Sequence, residues 1–267
     1  MGYDISYHPI NRDEIYEWYF NRLDEVKAGD FSGIEAVARK YRMDDFYLQK
    51  YKDTMSVAAN TTSAESFDKT HSYYLAVVQG FFRTFYYTRG TAFTFLVEQH
   101  KEMSFYTTGF SKVLNREIEN PIHNRIMENY CGGVYIPYEN VSKLLADYQN
   151  GVVKEVLENF FEQNLPIFLK ALTFAKENQL GLLEATEVVE VNPIALNETI
   201  CYSNLMNCDR EGAFIYAETA KAQIESFAKS QNMDAQEVMK NAEYKKTPIG
   251  DGDKNVKKGL WKKLFGK

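Results

Sequence analysis

Residues 62–89, TSAESFDKTHSYYLAVVQGFFRTFYYTR, limit the fold more than any other stretch of this chain. Thr62 followed by Glu65 has the spacing of a capping box, in which the threonine oxygen accepts from the third helical N–H and the glutamate reaches back. Gly90 stands where a helix-ending glycine belongs. The pattern predicts one helix over about 62–89. At about 100° per residue, Glu65, Lys69, Ser72, Ala76, Gln79, Arg83 and Tyr87 share one narrow stripe. Tyr73, Tyr74, Leu75, Val77, Val78, Phe81, Phe82 and Phe85 cover the rest of the circumference. A helix apolar on nearly every side must be surrounded, so it reads as the spine of the fold. Phe81 and Phe82 are expected to be buried, and Gln79 is expected to tolerate truncation.

Helical signals dominate the remainder. Asn11 with Glu14 opens a helix over about 12–28, stopping near Gly29; Ser32 with Glu35 is a second capping box. Further helices are expected from Asp44 to Ala59, after Pro137, over 152–161, from Pro166 to Gly181 and over 210–230. Asp234 with Glu237 caps a last one. Segment 91–100, TAFTFLVEQH, reads as either helix or strand. Strand candidates lie near 3–7, 133–136, 186–191 and 199–202, too few for a doubly wound sheet. The expected fold class is therefore mainly α: a single helical-bundle-like domain over 1–245, built around the central helix, with a minor small β-sheet. Residues 246–267 read as a linker and a flexible basic amphipathic tail.

The length of 267 residues is enough to bury a substantial core. The 3 cysteines do not make a disulfide scaffold and read as thiols of a reducing compartment. The N-terminal residues lack the basic-then-apolar pattern of a signal peptide. The longest uncharged run of the spine ends at Arg83, short of the roughly 18 residues of a membrane span. A soluble cytoplasmic protein is expected. The net charge is −6, but residues 254–267 carry six lysines and no acid, which leaves the body with 25 basic against 37 acidic residues, or −12. So acidic a body does not invite nucleic-acid phosphates and suits a basic protein partner or its own tail.

No catalytic motif stands out. His8, His71, His100 and His123 have no metal-ligand spacing, and Cys201 and Cys208 are too far apart in sequence for a zinc pair. No metal and no cofactor is expected. His71, Arg83, Arg89 and His100 cluster in sequence around the spine and are candidate ligands for an anionic small molecule, the arginines holding phosphate or carboxylate. The bland alternative makes Arg83 the wet edge of the stripe. The tail KNVKKGLWKKLFGK is the most specific local signal. Val256, Leu260, Trp261, Leu264 and Phe265 recur on one helical face, with lysine on the other. Leu260, Trp261, Leu264 and Phe265 are its candidate partner-binding residues. The first functional expectation is a non-catalytic protein-binding module with an acidic, Tyr-rich surface, a toxin-neutralising immunity-type protein being one concrete version. An enzyme or small-ligand binder with an Arg/His pocket is the alternative. Peripheral membrane association through the tail is the second.

Overall fold

The computed structural model describes residues 3–61, 69–114, 118, 126 and 132–244. The chain begins with β1 (Asp4–Ile10), followed by α1 (Arg12–Trp18), α2 (Leu23–Lys27), α3 (Ser32–Lys40), α4 (Asp45–Ala59) and α5 (His71–Phe82). Then come β2 (Phe85–Arg89), α6 (Phe93–Gln99), α7 (Phe110–Val113) and β3 (Gly132–Ile136). Helices α8 (Tyr138–Gln149), α9 (Lys154–Phe161) and α10 (Leu165–Glu177) precede β4 (Gly181–Thr186), β5 (Val189–Glu190), β6 (Ile200–Cys201) and β7 (Cys208–Asp209). The last described elements are α11 (Glu211–Ser230) and α12 (Ala235–Lys240).

The expected helical bundle with a minor sheet is not what forms. Strands β3, β4, β1, β2 and β7 make, in that order, a five-stranded mixed sheet, and β5 and β6 make a second sheet of two strands. The fold is mixed α/β. Neighbours among β3, β4, β1 and β2 pair antiparallel, whereas β7 runs parallel to β2. β1 lies at the centre, with Ser6 opposite Tyr87 on one side and Ala185 on the other. Its ladder to β2 ends at Tyr7↔Tyr86. Beyond that point only one side of β1 is paired, which lets Pro9 continue the strand.

Successive strand residues point to opposite faces and feed two cores. Ile5, Tyr7, Tyr86, Val134 and Leu182 pack with Phe93, Leu144, Phe161, Phe168 and Leu172 from α6, α8, α9 and α10. Ile10, Tyr135, Leu183 and Ala185 pack with Ile15, Trp18, Tyr51, Leu75 and Val78 from α1, α4 and α5. Helices therefore cover both faces. Phe168 illustrates the packing, stacked on Phe161 at 4.2 Å between ring centres and tilted against Tyr7 at 5.0 Å. Burying such a side chain stabilises the fold by about 1.5–3 kcal/mol. Much of the tyrosine content serves these cores, Tyr7, Tyr19, Tyr51, Tyr73 and Tyr86 all being buried in them, while Tyr87 is buried in a third, smaller cluster with Phe85, Val189, Val191 and Cys208.

α5 is buried on almost every side, as its apolar circumference requires. It is, however, shorter than the expected 62–89 helix. Thr70 is its N-cap, and Thr62 and Glu65 lie outside the described residues. It stops at Phe82, after which Arg83 is extended and the aromatic, β-branched run from Phe85 pairs with β1. Gly90, with φ +79°, ends a strand rather than a helix, its N–H donating to the Tyr3 carbonyl. The stripe of Ser72, Ala76 and Gln79 is fully buried, because it faces the sheet instead of water. Phe81 is buried; Phe82 is half-buried, stacked on Trp18 at 4.4 Å.

Several local signals act as expected. Asn11 and Glu14 form the capping box, the Glu14 N–H donating to Asn11 Oδ1 at 2.9 Å and the Asn11 N–H to Glu14 Oε2 at 3.1 Å. The 12–28 helix nonetheless breaks at a 3-10 turn, Phe20–Arg22, where Trp18, Tyr19 and Phe20 are all fully buried. Asp44 and Asp234 cap α4 and α12. Ser32 does not cap; Phe31 occupies that position and Asp30 takes the Ser32 N–H. Segment 91–100 is helical as α6. α10 ends earlier than Gly181 because Gln179, at φ +56°, turns the chain and frees Gly181 to start β4. Among the described residues, no helix is long and apolar enough to cross a membrane.

Candidate interaction surface

The four residues expected to bind an anionic ligand are committed elsewhere. The Arg83 guanidinium makes a two-pronged pair with Glu14, at 2.8 Å and 2.6 Å, and lies over the Trp18 ring. It pins the start of α1 to the end of α5. Arg89 pairs with Asp4 at 2.7 Å and lies over Tyr216 of α11. Burial raises the Asp4 carboxyl above its ordinary range, although Arg89 and the Tyr87 hydroxyl pull it down. His71 Nδ1 meets the Tyr19 hydroxyl at 2.7 Å inside the helical core. His100 is near the surface beside Glu102, at 3.3 Å. Arg83 and Arg89 stand at opposite ends of β2, about 20 Å apart along an extended strand. His71 and Arg83 stand at opposite ends of α5, about 18 Å apart. No shared anion cradle results from these four side chains. The tail residues Leu260, Trp261, Leu264 and Phe265 lie outside the described residues.

Two buried polar clusters escaped sequence reasoning. In the first, His8 Nδ1 lies 2.7 Å from Gln79 Oε1 and His8 Nε2 lies 2.8 Å from Ser6 Oγ. The Gln79 amide nitrogen donates to the Pro9 and Thr84 carbonyls, so Oε1 is the acceptor and Nδ1 carries the proton. Nε2 then accepts from the Ser6 hydroxyl. This Ser–His–Gln chain has the connectivity of a nucleophile and its base, but all three side chains are sealed from solvent and substrate. Burial lowers the His8 pKa to about 3, against the opposing effect of the Gln79 bond, so the ring stays neutral.

The second cluster surrounds Glu184 on β4. Its Oε2 accepts from the Thr94 N–H at 3.0 Å, the Thr94 hydroxyl at 2.9 Å and the Val134 N–H at 3.3 Å, while Oε1 has no hydrogen-bond partner among the described residues. Burial raises this carboxyl to about 7 despite those donors. It ties β3, β4 and the first turn of α6 together. The thiols are equally quiet: burial pushes Cys201 up to about 11 and Cys208 higher still, so neither is a ready thiolate at neutral pH. Cys131 lies outside the described residues. Among the described residues, no three His, Cys, Asp or Glu side chains are grouped to hold a metal ion.

What the fold does present is apolar surface on a fixed frame. Phe46 is 62% exposed on α4; Ile200, Tyr202, Leu205 and Met206 are 52%, 42%, 40% and 73% exposed on the neighbouring 200–206 segment. The Tyr47 hydroxyl donates to Asn204 Oδ1 at 2.7 Å and ties α4 to that segment. Two more side chains clamp the segment to α5: Ser203 Oγ donates to the Val77 carbonyl at 2.6 Å, and Asn207 Nδ2 donates to the Gly80 carbonyl at 2.9 Å. The Asn207 bond also satisfies a carbonyl in the last turn of α5. Gly80 makes this approach possible, since a Cβ there would fall 2.4 Å from Ser203 Oγ. Lys69 covers the inner flank, over the Tyr73 and Tyr202 rings at 3.8 Å and 5.0 Å.

A second apolar feature is a groove of about 460 Å³ between the 193–197 loop and the outer helices. Pro193, Ile194 and Leu196 line it from the loop, Ala217, Ala220 and Ile224 from α11 and Met239 from α12, with Asn197, Glu218 and Lys221 as polar lining residues. α11 is held to the sheet by close contact at Gly212, where a Cβ would stand 1.8 Å from the Tyr87 carbonyl oxygen. No protein-family model, no curated protein and no solved structure matches this chain.

Proposed function

We propose that this chain is a non-catalytic protein-binding module whose contact face is the anchored apolar surface of α4 and residues 200–206. The observation that supports this most is the exposure of Phe46, Ile200, Tyr202, Leu205 and Met206 on backbone already fixed by Tyr47–Asn204, Ser203–Val77 and Asn207–Gly80. A preformed apolar face loses little conformational entropy on binding, and large apolar side chains at its centre are the usual anchors of an interface. The −12 body supplies long-range attraction for a basic partner, so charge steers and the apolar face holds. A basic toxin neutralised by this chain is one concrete form of such a pair. A cytoplasmic location fits, since Cys201 and Cys208 are both free thiols.

The test is affinity purification from the native host with the intact chain as bait, beside a Leu205→Asp/Met206→Asp bait of equal melting temperature. The expected result is a partner captured by the first and lost from the second, its retention falling as salt rises. Equal capture by both baits refutes the contact face. A small metabolite that raises the melting temperature by several degrees favours the ligand-binding alternative.

A further inference from the structure

We infer that the groove between α11, α12 and the 193–197 loop is the docking site for this chain's own segment 254–267. This is a different surface from the α4 face, and it does not rest on the binding function proposed above.

Three observations converge. The first is chemical fit. The groove lining is mostly alanine, isoleucine, leucine, proline and methionine, with Asn197, Glu218 and Lys221 as its polar groups, and it is open to solvent. Segment 254–267 carries Leu260, Trp261, Leu264 and Phe265 at the spacing of one helical face. Left in water those four side chains form a patch that invites association. The second is charge. Residues 187–199, which include the loop wall, contain no base, and of their three glutamates Glu198 is exposed, whereas Glu190 is buried and Glu187 pairs with Lys69. Residues 211–243, spanning the two helices, contain six acidic residues and three lysines. Segment 254–267 has six lysines and no acid. The third is tethering. The last described residue, Tyr244, is hydrogen-bonded to Tyr216, immediately before the groove residue Ala217. Nine residues, 245–253, separate it from the amphipathic segment. A chain of that length spans roughly 15–18 Å on average. The segment is therefore held near the groove at an effective concentration in the mM range, which favours it over a second molecule.

The consequence is a strap. The segment covers an apolar slot on the outer helices, and the slot covers Trp261. Because exposed charges contribute to the contact, docking weakens as ionic strength rises.

The experiment uses the full chain. Trp261 emission is obtained by subtracting the spectrum of a Trp261→Phe variant. In parallel, a photo-crosslinking amino acid at position 261 is activated, and the products are separated by size and mapped by mass spectrometry. Docking predicts blue-shifted Trp261 emission without lipid, and monomeric crosslinks to 193–197, 217–224 or 239. Ile224→Asp on one wall and Leu196→Asp on the other should each red-shift the emission; either variant suffices if the other unfolds. Crosslinks confined to a dimer band show a second copy as the occupant and overturn the proposal. Solvated emission that shifts only on adding vesicles of 30% phosphatidylserine assigns the segment to membranes and overturns it as well. Blue-shifted emission indifferent to both wall variants refutes the groove.

Discussion

Glu184 offers the sharpest test of the core. Its carboxyl is fully buried, three donors converge on Oε2, and its pKa stands at about 7 against an ordinary 4.5. A carboxyl whose pKa is raised by folding contributes stability below about pH 4.5 and loses it as the pH rises through about 7. The difference of about 2.5 units, at 1.36 kcal/mol each, corresponds to about 3 kcal/mol. Glu184→Gln keeps the shape and an acceptor for the Thr94 N–H but cannot ionise. Any constant effect of the amide cancels when the variant is compared with the parent across pH. Urea unfolding followed by far-ultraviolet circular dichroism, at half-unit steps from pH 4 to pH 8, measures this directly. The stability of the variant relative to the parent should rise by about 3 kcal/mol between the two ends. A difference that stays flat would mean that Glu184 ionises as an ordinary exposed glutamate, and the account of this cluster would fall.

The other predictions concern the same frame. His8, with its pKa lowered to about 3 from 6.5, costs the folded state stability as pH falls below 6.5, about 2 kcal/mol by pH 5. That slope opposes the Glu184 slope between about pH 4.5 and 6.5, so the parent should show a plateau there in urea titrations and Glu184→Gln should show acid lability instead. Gln79→Ala should cost roughly 2–5 kcal/mol, because it strands His8 Nδ1–H and takes a donor from the Thr84 and Pro9 carbonyls, the latter keeping only a long bond from Arg83; a melting temperature close to the parent's would place Gln79 back on a wet stripe. Gly212→Ala should destabilise by about 1–3 kcal/mol or more through the Tyr87 carbonyl, against about zero for Gln223→Ala on the exposed side of α11, and equal losses would refute the close approach.

Signals that act over three or four residues were legible, and those that depend on the sheet were not. Asn11 and Glu14 cap α1 because both partners of a capping box sit in one turn. Asp44, Asp234 and the 133–136 strand were readable for the same reason. Strand β1 was legible, since Asp4, Ile5, Ser6, Tyr7 and His8 alternate and a strand near 3–7 is what forms. Strands β2 and β4 are covered on both faces, and their residues show no such alternation. FYYTR thus reads as the end of a helix, and GLLEAT vanishes behind a glycine that looks like a helix stop. The polar stripe of α5 misled because a spiral of Ser72, Ala76 and Gln79 marks contact with a polar sheet face as readily as contact with water. Arg83, Arg89, His71 and His100 were gathered by nearness in sequence, which a helix followed by a strand pulls apart. Two sequence signals do mark the buried clusters: a glutamate within GLLEAT and a histidine between Tyr7 and Pro9, each an ionisable group beside apolar residues. The 200–206 surface had only a weak strand signal, since its anchoring depends on Val77 and Gly80, more than a hundred residues earlier.

The central position of β1 has a consequence for synthesis. This strand is made before either of its partners, and its β2 partners follow by residue 89, so a hairpin-like pair can form early. Its other edge pairs with residues 181–186, which appear nearly a hundred residues later. At 5–20 residues per second that gap lasts about 5–20 s. Throughout it, the nascent chain carries an unsatisfied row of backbone groups along Ile5 to Ile10, beside aromatic side chains destined for two cores. A ribosome-bound chain arrested after α10 should therefore bind chaperones strongly, and release from the arrest should abolish that binding once β4 has emerged.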